Sequence, residues 1–150
     1  ISSSKIRKAI LNGEISVANS YLGSPFELRG TVVKGLQNGR TIGFPTANIQ
    51  IHDEQKIIPA TGVYAVEMRL LGQIHQGMMN IGWRPTIAEE KINRKIEVHL
   101  FDFTEDIYEE QCEIRVHNYV RPEHKFPNLD ALKSQIALDE ATIRAYFSNH

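Results

Sequence analysis

Between Phe26 and Val120 the chain alternates apolar and polar side chains with a period of two, the spacing at which residues share one face of a strand. The runs Phe26 to Lys34, Thr46 to Ile51, Gly62 to Leu71, His75 to Ile81, Lys95 to Phe103 and Cys112 to Val120 are rich in Val, Ile, Tyr, Phe and Thr. Gly, Pro, Asn or charged clusters separate them, and Gly72-Gln73 reads as a tight hairpin turn. Six strands with no long helix between them predict an antiparallel β-barrel rather than βαβ units.

The period changes at both ends. Serines ahead of Ile6, Ile10 and Leu11 predict a short N-terminal helix that Gly13 stops, and Val17 to Leu22 predicts a second helical piece. After Pro127, Asn128 is placed to cap a helix over Leu129 to Phe147, with Leu129, Leu132, Ile136, Ile143 and Phe147 at helical spacing. This helix is expected to cover part of the barrel.

The 150 residues carry 17 basic and 18 acidic side chains and a formal net charge of −1. That is the size of one domain with a real core, and it offers no electrostatic footprint for duplex DNA or an anionic membrane. No apolar run approaches the about 20 residues that cross a bilayer, and no signal peptide opens the chain, so a cytoplasmic setting is expected. The single Cys112 lies in an alternating run and reads as a small core residue. The start at Ile1, without methionine, suggests a piece of something longer.

Candidate chemistry is concentrated in a few segments. The stretch from Gly30 to Asn48 holds the glycines Gly30, Gly35, Gly39 and Gly43, with Lys34 and Arg40 supplying positive charge suited to phosphate. It lacks the Gly-Lys-Ser/Thr ending of a Walker A loop, and a plain glycine-rich hairpin connection explains its composition as well. Within Pro45-Thr46-Ala47-Asn48, a hydroxyl and an amide oxygen fall on one strand face, which suits Mg²⁺ but also suits a strand end. In Ile96 to Phe103, alternation sets Glu97, His99 and Phe101 opposite Ile96, Val98 and Leu100. A carboxylate there is either solvated or lines a cleft, where it could act as a base for a hydroxyl nucleophile. Asn80 to Thr86 and Arg121 to Phe126 read as loops following strands. The six histidines show no metal-ligand spacing, and His99 and His117 read as strand residues with satisfied partners.

The ordered set Gly43-Phe44-Pro45-Thr46-Ala47-Asn48, Gly62-Val63-Tyr64-Ala65, Asn80-Ile81-Gly82, Glu97-Val98-His99-Leu100-Phe101-Asp102-Phe103 and Arg121-Pro122-Glu123-His124-Lys125-Phe126 resembles the riboflavin kinase family, in particular the kinase module of bacterial bifunctional FAD synthetases. The resemblance implies a mainly β fold, a six-stranded Greek-key barrel with a C-terminal helix. It implies transfer of the ATP γ-phosphate to the 5′-hydroxyl of riboflavin, with Mg²⁺ (Zn²⁺ or Mn²⁺ as substitutes) held by Thr46 and Asn48. Glu97 is implied as the general base. Gly35, Gly39, Arg40, Gly43, Pro45, Thr46, Asn48, Asn80, Asp102 and Tyr108 are implied on the nucleotide, and Glu97, Arg121, Glu123 and Phe126 on the flavin. The family often has Tyr-Gly where this chain has Tyr108-Glu109, so a different turn is expected there.

Ile1-Ser2-Ser3-Ser4-Lys5-Ile6-Arg7 is similar to the motif that ends the adenylyltransferase module of those enzymes, whereas its partner, His-x-Gly-His, is absent. Residues 1–22 are therefore expected to be a remnant or linker of an upstream module, and 23–150 the kinase domain, making FMN but no FAD. Two other readings compete: a non-catalytic flavin- or nucleotide-binding barrel, for which a base is superfluous, and an oligonucleotide-binding barrel, which wants a basic groove with aromatic platforms.

Overall fold

The computed structural model describes residues 3–33, 43–84 and 94–150. Helices α1 (Ser3–Leu11) and α2 (Ile15–Leu22) lead into strands β1 (Phe26–Val33), β2 (Ala47–Ile51), β3 (Gly62–Leu70), β4 (Gln73–Trp83), β5 (Arg94–Leu100) and β6 (Gln111–Arg121), and helix α3 (Leu129–Ser148) follows. The strands close into an antiparallel barrel in the order β1-β2-β5-β4-β3-β6. Three consecutive strands, β3, β4 and β5, are joined as a meander, and β6 returns to lie beside β3, the Greek-key order that the family resemblance implies.

Alternation explains the interior. Leu28, Val32, Ile49, Met68, Met79, Ile81, Ile96, Val98, Ile114 and Val116 point inward and merge into one buried apolar cluster. Cys112 belongs to it, and burial pushes its thiol up to about 11. The N-terminal helices join this core through Ala9, Ile10, Ile15 and Ala18. The Asn19 amide holds them in place, donating 2.8 Å to the Val116 carbonyl and accepting from the Phe26 N–H at 2.8 Å. Gly13 ends α1 with φ +79°, the left-handed conformation expected of it.

The outer wall is polar except where α3 lies on it. There Val63, Ala65, Met78, Phe101 and Ile143 form a second buried cluster, edged by Ile136, Tyr146 and Phe147. The Asn128 side chain accepts from the Ala131 N–H at 2.8 Å and caps α3 as expected. Leu129, assigned to the same apolar stripe, is instead exposed at the first turn.

Three departures from the sequence reading have local causes. The β3–β4 turn falls on Leu71-Gly72, one residue early, because Leu70 pairs with Gln73 and both turn residues take positive φ. β5 stops at Leu100 because Asp102 turns to φ +56°. Asn80, Ile81, Gly82 and Trp83 lie within β4, and Arg121 ends β6, rather than occupying loops. Those polar residues belong to strands because the register of β4 with β5 continues to Trp83↔Arg94.

Candidate functional site

One row of register partners runs across all six strands: Val33↔Asn48, Asn48↔Glu97, Glu97↔Asn80, Asn80↔Val63 and Val63↔Arg121. Glu97, Asn48 and Asn80 are on the opposite strand face from the inward-pointing Val98, Ile49 and Met79, so they stand on the outer wall. At its centre, Glu97 has Thr46 Oγ1 donating to its Oε2 at 3.2 Å, and Lys95 Nζ 3.1 Å from its Oε1. Its side chain is 23 % exposed, so a group arriving from solvent can reach it. Asn48 and Asn80 flank it on either side. Among the described residues Asn80 Oδ1 is buried without a hydrogen-bond partner, so this part of the wall is not closed on itself.

Beside one end of this row, where the barrel mouth opens between β1, β2 and β5, lies a cleft of about 820 Å³. Val32, Ala47, Val98 and Leu100 floor it, and Thr46 and Tyr108 stand on its rim. Its far wall is the segment from Phe103 to Tyr108, anchored by backbone bonds from Glu109 N–H to Val32 O (2.8 Å) and Val32 N–H to Glu110 O (2.9 Å). Glu109 has φ +70°. The turn therefore keeps the left-handed conformation glycine favours, and the glutamate bears the strain.

At the other end of the row, Arg121 is committed to Asp139 of α3. Its Nε lies 3.0 Å from both carboxylate oxygens, and Nη2 is 2.8 Å from Oδ2. Asp139 is only 2 % exposed and also accepts from Gln135 Nε2 at 2.9 Å. A buried carboxylate with three donor groups is well satisfied, and Arg121 clasps helix to barrel. Glu123 packs on the Gly82 backbone, where a Cβ would sit 2.7 Å from its Oε1, and the Arg121 guanidinium lies 5.8 Å from the Phe126 ring.

The structure thus brings Thr46, Asn48, Asn80 and Glu97 together, sets Pro45 and Tyr108 at the adjoining cleft, and gathers Arg121, Glu123 and Phe126 at the opposite end. Asp102 stands apart from both groups. It forms two 3.1 Å contacts with Arg144 of α3, whose guanidinium holds its carboxyl below the usual range. Gly43 adjoins the strand with φ +84°, and Gly35, Gly39 and Arg40 lie outside the described residues. His99 and His117 have partners, the Pro45 carbonyl at 2.8 Å and Glu67 at 2.6 Å. Sequence reasoning missed Asp139, Glu140 and Arg144; the only signal was their four- and five-residue spacing along α3, which marks no chemistry by itself.

Thr46 lines the open cleft and Asn48 follows two residues on, paired with Glu97, and both offer neutral oxygen donors. Among the described residues no three His, Cys, Asp or Glu side chains group as a metal cage. The donor set therefore fits a hard cation that takes its remaining ligands from water and substrate phosphate.

A family model described as Flavokinase: Riboflavin kinase matches residues 22–147. A Listeria monocytogenes bifunctional riboflavin kinase/FMN adenylyltransferase is 45 % identical over 148 residues, covering 99 % of this chain and 46 % of the relative. The chain thus spans about half the length of the curated relatives it matches. A Streptococcus pneumoniae structure named a macrolide-efflux protein superposes with TM-score 0.90 at 40 % identity, covering 96 % of this chain and 46 % of that one. A riboflavin kinase from Trypanosoma brucei superposes with TM-score 0.59 at 25 % identity, covering 83 % and 81 %. Among the described residues no helix is long and apolar enough to cross a membrane.

Proposed function

The chain belongs to the riboflavin kinase family, homologous to the kinase part of the bifunctional enzymes, and from that premise we propose that it transfers the γ-phosphate of ATP to the 5′-hydroxyl of riboflavin. The observation that carries this reading is the polar row on the barrel wall: a single carboxylate, Glu97, between a two-oxygen donor set and a surface that leads to the 121–126 loop. Three strand spacings separate Glu97 from Arg121, about 14 Å. Val63, between Asn80 and Arg121 in that row, is buried under α3, so the acceptor would approach Glu97 from the side of Gly82, where Glu123 packs.

Phosphoryl transfer asks for alignment, charge neutralisation and exclusion of water more than for covalent chemistry. In this reading the nucleotide occupies the cleft rimmed by Pro45, Thr46 and Tyr108, with Gly35, Gly39, Arg40, Gly43, Asn48, Asn80 and Asp102 as further contacts. Thr46 and Asn48 would hold Mg²⁺, which would supply neutralisation of phosphate charge; Zn²⁺ or Mn²⁺ are candidate substitutes. Glu97 takes the proton from the 5′-hydroxyl. In the free protein each of its oxygens has one partner and keeps a further lone pair with which to accept from the hydroxyl. Glu123 and Phe126 meet the flavin. Arg121 acts from behind, because its guanidinium is spent on Asp139. Asp102 is the weakest member, since its carboxylate faces Arg144.

The same reading makes residues 1–22 the link to an upstream adenylyltransferase module in a cytoplasmic enzyme. Chromatography of a reaction with riboflavin, ATP and Mg²⁺ tests both parts. Metal-dependent FMN without FAD is expected; riboflavin bound tightly but never phosphorylated would leave a flavin-binding barrel instead.

A further inference from the structure

Two residues beyond Glu97, on the same face of β5, His99 makes contacts that the reaction itself does not require. Its Nδ1 is 2.8 Å from the carbonyl oxygen of Pro45. A carbonyl only accepts, so Nδ1 carries the proton and donates it. Pro45 lacks an N–H and has a ring-fixed φ, so the orientation of its carbonyl sets the plane of the peptide that starts Thr46. Thr46 is the residue whose hydroxyl reaches Glu97.

The ring is also held from behind. Its side chain is 11 % exposed, and Nε2 faces Glu140 of α3 at 3.7 Å, beyond hydrogen-bond reach. Arg144 Nε donates to Glu140 Oε2 at 2.9 Å and reaches Asp102 at 3.1 Å through both terminal nitrogens. Phe44 and Phe101 meet the imidazole edge-on, with centroids 5.5 and 5.7 Å away. A side chain braced on three sides by a helix and two aromatic rings can fix a backbone carbonyl in a way that a solvated one cannot.

We propose that His99 is a positioning residue: packed between Phe44 and Phe101, it clamps the Pro45–Thr46 peptide so that the Thr46 hydroxyl is set to receive the metal-bound nucleotide. It touches neither substrate. The inference rests on the kinase reading, and its consequences fall on nucleotide affinity rather than on the acceptor.

Three replacements separate the two ring nitrogens. His99→Asn places an amide N–H near the Nδ1 position and keeps the Pro45 bond. His99→Gln reaches toward Glu140 but leaves Pro45, and His99→Phe keeps the packing with neither polar contact. Each is measured by calorimetric titration of MgADP in the absence of riboflavin, by KM for MgATP and for riboflavin, and by thermal midpoint. His99→Gln and His99→Phe are expected to weaken MgADP and raise KM for MgATP about fivefold, the worth of one net hydrogen bond, with KM for riboflavin unchanged. His99→Asn is expected to stay within about twofold of wild type, since it keeps that bond. MgADP binding by His99→Gln or His99→Phe equal to wild type overturns the inference, and so does a loss in His99→Asn as large as in His99→Phe. Wild-type protein that binds MgADP yet makes no FMN sinks the kinase reading instead, while the calorimetry still decides the role of His99.

Discussion

The inside and the outside of this barrel are built from alternate residues of the same strands, yet they obey different rules. Inside, every position has one requirement, apolar volume, and Leu28, Met68, Ile81, Ile96 and Val116 meet it as one continuous cluster. Outside, the wall changes character within a few ångströms, from the apolar patch under α3 to the row that holds Glu97, Asn48 and Asn80. Interior residues are interchangeable within limits of size, whereas outer residues such as Glu97 and Arg121 are tied to particular partners. Stability therefore sits mainly on one face of the strands and chemistry on the other.

The sharpest way to break that comparison is to damage each face separately. Leu28→Ala, at a fully buried interior site, is expected to cost about 3 kcal/mol in urea unfolding while the folded fraction keeps its kcat. Glu97→Gln is expected to do the reverse, lowering kcat by about a hundredfold, the range of one general base, with the unfolding midpoint nearly unchanged. Equal kcat for wild type and Glu97→Gln at saturating substrates removes Glu97 as base, and a larger loss for Asp102→Asn than for Glu97→Gln would move the chemistry elsewhere.

Alkaline pH probes the interior through two groups. Burial raises the Cys112 thiol to about 11 from an ordinary 9.0, and it raises the Tyr64 hydroxyl as well. The folded state therefore holds these protons more tightly than the unfolded chain. Their contribution is complete below pH 9 and falls as pH rises toward 11. Urea midpoints measured across that window should drop, and Cys112→Ala should flatten the early part of the fall. The smallest expected effect is a gain. Glu109→Gly relieves a left-handed glutamate and should add about 1 kcal/mol, unless the entropy glycine brings to the unfolded chain cancels it.

The same contrast decides what could be read from the sequence. A period of two is visible without coordinates, so the six strands and both helical ends were legible to within a few residues. Thr46, Asn48 and Glu97 were legible as motifs. Their meeting was not, because the β2–β5 register that sets Asn48 against Glu97 rests on two residue pairs and leaves no local signature. Arg121 looked like a ligand-facing arginine, since nothing in the spacing tells that Asp139, on a helix with many charges, is buried and waiting for it. The Leu71-Gly72 turn was shifted because leucine gives no hint that it will accept positive φ.

The barrel closes by pairing its first strand with its last, with Phe26 against Val116 and Gly30 against Cys112. During synthesis β1 therefore waits, with one edge unsatisfied, until β6 has left the ribosome. Long-range closure of this kind is slow, on the order of milliseconds to seconds, and bare strand edges recruit other chains while they wait. The interval before β6 arrives is when this protein is most exposed to aggregation, and the one in which a chaperone would help it most.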